Sequence, residues 1–104
     1  MNQQEFAART VSPDRIEVVG DLDMVSCPQL VAALGGAAPG VDVTLDLSGV
    51  TFIDSVALAL LVKTHETLRA RGARLVLATP SAVVTRLLHI AGLLSVFSYE
   101  QEGS

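Results

Sequence analysis

The chain has 104 residues, half of them apolar and 17% charged, which suits one packed domain of the usual 50–250 residues or so and excludes a disordered tail. Seven basic against eleven acidic side chains leave a net charge of −4, the wrong sign for neutralising nucleic-acid phosphates, so no nucleic-acid partner is expected. Aromatic residues are only 4% and Trp is absent, so the core has to be built from Val, Leu, Ile and Ala.

In chain order, residues 5–10 and 15–21 flank Ser12-Pro13-Asp14, whose turn-forming residues predict a hairpin. Arg15-Ile16-Glu17-Val18 alternates polar and apolar side chains, as a half-buried strand does. The alternation breaks at Asp21-Leu22-Asp23-Met24-Val25, and Ser26 with Pro28 reads as the cap and first turn of a helix over 27–34, stopped by Gly35-Gly36. The single cysteine, Cys27, has no partner for an internal disulfide and is expected to be a small buried thiol.

Val41, Val43, Leu45 and Leu47 alternate with Asp42, Thr44 and Asp46, and Val50, Phe52 and Ile53 follow across Ser48-Gly49; this is a central strand ending in a tight turn. Asp54 or Ser55 then caps a long helix reaching about Arg71, with Leu58, Leu61, Val62, His65 and Leu68 along one face and Gly72 at its end. A strand over 73–78 follows. Thr79-Pro80 opens a third helix, with Val84, Leu87, Leu88 and Ala91 on one face and Gly92 ending it, and Val96–Tyr99 is expected as an edge strand. The sum is one α/β domain over 1–104, with a mixed, mostly parallel sheet of four to five strands and about four helices.

The longest unbroken apolar run, Val56 to Val62, is seven residues, far short of the ~20 that cross a bilayer as a helix. The first residues, Met1-Asn2-Gln3-Gln4-Glu5, lack the basic and apolar regions of a secretory signal. A cytoplasmic protein without membrane insertion is therefore expected.

Catalytic and metal chemistry finds little support. Asp21 and Asp23 stand two apart, but Val25 and Ser26 follow where a calcium loop needs further oxygen ligands and Gly. His65 and His89 lie on different helices with no ligand pattern around them, so no metal or other cofactor is expected. Gly35 and Gly40 have phosphate-loop spacing, yet Val41-Asp42 replaces the required Lys-Ser/Thr. A nucleophile elbow at Ser55 would need glycines where Ile53 and Ala57 stand, so no enzyme activity is expected.

What remains is the strand-to-helix junction Val50-Thr51-Phe52-Ile53-Asp54-Ser55, at the strand end where open α/β sheets bind their ligands. Asp54 can serve as the helix cap, which leaves the Ser55 hydroxyl available. The apolar run 56–62 covers the whole helix circumference, so part of it meets a partner or the helices at 27–34 and 80–91. Small Ala57 and Ala59 would permit close approach. A phosphate on Ser55 would put about −1.5 to −2 charges beside Asp54 at the edge of that surface, and would oppose docking by like-charge repulsion and desolvation.

Asp46-Leu47-Ser48-Gly49-Val50-Thr51-Phe52-Ile53-Asp54-Ser55, followed by Leu58 and Leu61, resembles the signature of the STAS family of anti-sigma factor antagonists and sulfate-transporter tails. Gly20-Asp21-Leu22-Asp23 resembles that family's Gly-Glu-Leu-Asp turn, and Val84, Arg86, Leu87, Leu88, Gly92 and Leu93 are similar to its last helix. The resemblance implies a STAS-like fold and partner switching. The unphosphorylated protein binds an anti-sigma factor that is also a serine kinase and frees a sigma factor for stress transcription; phosphorylation at the serine matching Ser55 blocks binding, and a serine phosphatase resets the cycle. Asp21, Asp23, Asp54, Ser55, Val56, Ala57 and Ala59 are the implied partner-binding residues. The family usually reads Asp-Ser-Ser-Gly-Leu-Gly, whereas Val56, Ala57 and Ala59 replace the second Ser and both Gly here. Leu58-Ala59-Leu60-Leu61 also resembles stand-alone STAS subunits of lipid-transporting ABC complexes, which is the alternative reading beside a STAS adaptor that is never phosphorylated.

Overall fold

The computed structural model describes residues 5–100, so the first four residues, read above for a secretory signal, lie outside it. Residues Val43–Ile53 (β3) are the longest strand and the centre of a five-stranded sheet. Ala7–Ser12 (β1) and Arg15–Leu22 (β2) lie on one side of it in spatial order, Leu75–Ala78 (β4) and Ser98–Tyr99 (β5) on the other. β1 and β2 are an antiparallel hairpin, and β2 through β5 run parallel. Cys27–Leu34 (α1) links β2 to β3, Ser55–Ala70 (α2) links β3 to β4, and Ala82–Ile90 (α3) leads toward β5. The mixed, mostly parallel sheet is the expected one. Three α-helices are present among the described residues, with a single 3-10 turn, Leu94–Val96, in place of a fourth. That turn shortens the expected edge strand over 96–99 to Ser98–Tyr99.

Burial follows the pleat. Ile16, Val18 and Leu22 of β2 and Val43, Leu45 and Leu47 of β3 are buried, while Arg15, Glu17, Val19, Thr44 and Asp46 on the opposite face are half-buried. The buried side joins Cys27 and Leu30 of α1, Ala57, Leu58 and Leu61 of α2, and Val84 and Leu88 of α3 in a single cluster. His65 is also buried, tilted against Phe97 with ring centroids 5.4 Å apart. On the open face the Arg15 guanidinium donates to both carboxylate oxygens of Glu100, at 2.8 and 3.3 Å, and so fastens β2 to the far edge of the sheet.

Ser48-Gly49 does not turn the chain, as the sequence led us to expect. β3 continues through it, and the pairing absorbs the extra length: between Arg15↔Thr44 and Leu22↔Ile53, seven steps along β2 oppose nine along β3. The two surplus residues fall at register breaks between Glu17 and Val19 and between Gly20 and Asp21, which act as bulges. Buried positions after Leu47 consequently come three apart, at Val50 and Ile53, and Phe52 is turned outward and half exposed.

Two helix starts also differ from expectation. Ser26 makes no side-chain cap. Its hydroxyl donates to the Asp21 carbonyl at 2.8 Å and accepts from the Asp23 N–H at 2.9 Å, while Asp23 Oδ1 accepts from the Val25 and Ser26 N–H groups. Asp23 therefore organises the entry to α1. α3 begins at Ala82, beyond Thr79-Pro80, because Thr79 takes a left-handed conformation (φ +44°) that ends β4.

Gly20 lies at φ +95°, and a Cβ built there would come within 2.5 Å of the Glu5 carbonyl oxygen. Gly20→Ala is predicted to lower stability by about 2 kcal/mol or more through backbone strain and steric clash. Urea denaturation measures it, and a loss below about 0.5 kcal/mol, the range of ordinary surface substitutions, would contradict the assignment.

Candidate functional site at the start of the second helix

β2 and β3 end side by side, which brings the Asp21–Ser26 turn against the first residues of α2. Asp54 makes the junction. Its backbone is extended (φ −111°, ψ 178°), its Oδ1 accepts from the Ala57 N–H at 2.9 Å, and its Oδ2 accepts from the Met24 N–H at 3.0 Å. Its own N–H donates to the Leu22 carbonyl at 3.2 Å, and its carbonyl accepts from Leu58 N–H at 3.0 Å. Of the two caps the sequence allowed, Asp54 is the one used. A carboxylate in this position also meets the positive end of the helix dipole.

Ser55 is thereby released from capping and stands exposed as the first residue of α2. The expected site residues divide cleanly. Val56 and Ala59 are exposed on α2. Asp21 and Asp23 are half-buried; Asp21 Oδ1 accepts from the Thr51 hydroxyl at 2.9 Å, which ties the end of β2 to β3. Ala57 differs from the expectation of a surface residue: its side chain is fully buried in the core, and only its N–H takes part, through Asp54. The run 56–62 is thus split, with Ala57, Leu58 and Leu61 inward, Leu60 and Val62 half-buried, and Val56 and Ala59 outward.

Sequence reasoning missed three residues here. Met24 and Val25 are 64% and 81% exposed in the turn, and Phe52 is 50% exposed at the end of β3. The Asp23-x-x-Ser26 spacing was a signal that residues 24 and 25 sit in a closed turn, and the period-two alternation running from Val43 was a signal that Phe52 faces outward. Cys27, just beyond the turn, is buried, and burial followed by the Asp54 and Asp23 carboxylates pushes its thiol pKa up, away from a reactive thiolate. An open, mainly apolar groove runs along α2 from Ser55 past Ala59 and Val62 to Glu66, with Leu93 opposite.

This arrangement defines a small α/β domain whose exposed chemistry is concentrated at one strand-to-helix junction. The chain belongs to the STAS-domain family: the family described as "Mlab, STAS domain" matches residues 6–96. It is 32% identical over 94 residues to the anti-sigma-B factor antagonist of Listeria monocytogenes, a match spanning 88% of this chain and 82% of the relative. The antagonist of the same name from Listeria innocua matches equally. The fold is that of the anti-sigma factor antagonist SpoIIAA in its unphosphorylated form (TM-score 0.70, 21% identity, 94% of this chain and 90% of the other). The Bacillus cell fate determinant SpoIIAA in its phosphorylated form superposes with a TM-score of 0.64 at 20% identity, over 94% of this chain and 93% of that one.

Asp54→Ala is predicted to cost about 1–2 kcal/mol, because it removes the cap of α2 and the acceptor for Met24 N–H together. Asp54→Asn, which keeps one acceptor oxygen, should cost less. Equal urea midpoints for wild type and Asp54→Ala would contradict the bridging role.

Proposed function

We propose that this chain is a cytoplasmic anti-sigma factor antagonist that works by partner switching and has no catalytic role of its own. The carrying observation is the exposed Ser55 at the first position of α2, between the capping Asp54 and the exposed Val56. The 32% identity to the Listeria anti-sigma-B factor antagonists supports the reading. In it, the unphosphorylated surface of Asp21, Asp23, Asp54, Ser55, Val56 and Ala59 docks on an anti-sigma factor, which then lets go of its sigma factor.

The same anti-sigma factor acts as kinase on Ser55 and a serine phosphatase reverses the modification. The phosphate would be accommodated in the free protein by the helix N-terminus, but on docking it would face desolvation and the nearby carboxylates, so the complex loses more than the free chain. Of the residues that depart from the usual family pattern, only Val56 and Ala59 present their side chains to a kinase, since Ala57 points into the core.

A second reading is carried by the matched family's own description, which names Mlab: a small subunit of a lipid-transporting ABC complex. The two separate in one experiment. Incubation with candidate anti-sigma kinases and ATP, followed by mass spectrometry, should find phosphate on the peptide containing Ser55. Ser55→Ala should keep partner affinity and Ser55→Glu should weaken it about tenfold or more. Co-purification of a permease and an ATPase, with no phosphate on Ser55 under any kinase, would favour the transporter subunit. Undiminished affinity in Ser55→Glu would remove the electrostatic switch.

A further inference from the structure

A buried polar atom left without a partner is costly, so one in a native core calls for an explanation. His65 Nδ1 is such an atom: the residue is 5% exposed, and no described residue hydrogen-bonds that nitrogen. With no acceptor bonded to it, Nδ1 is assigned as the unprotonated ring nitrogen, itself an acceptor. The ring is not sealed in. It lines an open cavity of about 600 Å³ between the C-terminal half of α2 and the Leu94–Val96 turn. Glu66 and Arg69 line the same cavity three residues apart on α2, a spacing at which opposite charges commonly pair, yet among the described residues neither is in an ion pair. Ser95 faces them from the turn, and Val62, Ala70 and Val96 supply the apolar part of the wall. An unpaired carboxylate and an unpaired guanidinium around one partly apolar concavity suit a molecule that carries both charges at once.

We propose that this cavity binds a free α-amino acid with an aliphatic side chain. The ligand carboxylate meets the Arg69 guanidinium, whose fork takes both oxygens, and the Ser95 hydroxyl. The ligand ammonium donates to the Glu66 carboxylate and, once the imidazole turns about Cβ–Cγ toward the cavity, to His65 Nδ1. The aliphatic side chain lies against Val62, Ala70 and Val96. Charge selects the occupant: a simple carboxylate would leave Glu66 set against it, and a simple amine would face Arg69, so only a zwitterion uses both groups. Ser55 does not line this cavity, and Glu66 lies about three turns along α2 from it. The site is therefore independent of the partner switch.

The test titrates the full chain with L-valine, L-leucine and L-isoleucine to ~10 mM, enough to fill a millimolar site, and follows backbone amide and His65 ring-nitrogen NMR shifts. At least one of the three should move the amides of residues 62–70 and 93–97 and the His65 ring resonances along one saturable curve, while residues 20–29 stay unmoved. Isocaproate and isoamylamine, each keeping one of the two charges, should bind about tenfold or more weakly, as should the amino acid to Arg69→Gln and to Glu66→Gln. Both substituted side chains are exposed, so these variants keep the fold, and Arg86→Gln, exposed on α3 outside the cavity, should bind as wild type. Saturable shifts with none of the three amino acids overturn the site. Equal binding of isocaproate or isoamylamine overturns the zwitterion as its ligand, and undiminished binding by both Arg69→Gln and Glu66→Gln overturns the location.

Discussion

One carboxylate organises the working end of this domain. Asp54 closes the first turn of α2 with one oxygen and holds the Met24 N–H with the other, while its backbone reaches back to β2. The pairing of Leu22 with Ile53 and the Thr51 hydroxyl on Asp21 join the same two segments from the sheet side, and the Asp54 carboxylate adds the link to the turn itself. The arrangement also keeps the helix cap separate from the proposed modification site. Because Asp54 does the capping, Ser55 contributes its hydroxyl to the surface rather than to the helix, and a modification there changes the surface charge without removing a cap.

The sheet matters to this site through its irregularities. Two residues more on β3 than on β2 bring Val50 inward between Leu47 and Ile53, and the second shift restores the alternation that keeps Phe52 outside. Bulges tend to re-aim side chains next to functional sites. Here the effect is to bury Val50, which plain alternation would turn outward; the two shifts cancel by Ile53, so Phe52 keeps its outward side. Asp21, bonded to Thr51 across the second bulge, holds the two strand ends in that register.

Much of this was readable in the sequence. The helices announced themselves by 3.6-residue spacing and by Gly at their ends, and the central strand by its alternation. Asp54 was one of two evident caps, and Cys27 was expected in the core, where it lies. The bulges were not readable, because Ser-Gly is also turn chemistry and only the pairing with β2 makes it continue a strand. Asp23 and Ser26 each had the chemistry of a cap, and the choice between them depended on the Asp21 carbonyl that receives the Ser26 hydroxyl. Ala57 was misplaced on the surface because a run apolar on every side carries no periodic mark of which way it faces; the inward direction is set by where the sheet lies.

The central claim is that the charge state of Ser55 governs docking at a surface Asp54 holds in place. It is tested most directly with protein carrying phosphoserine at position 55 throughout, titrated into the anti-sigma factor beside the unmodified chain. The account predicts that the phosphoprotein binds about tenfold or more weakly while unfolding at nearly the same urea concentration. Equal affinities for the two forms, or a phosphoprotein that loses binding only because it unfolds, would contradict it.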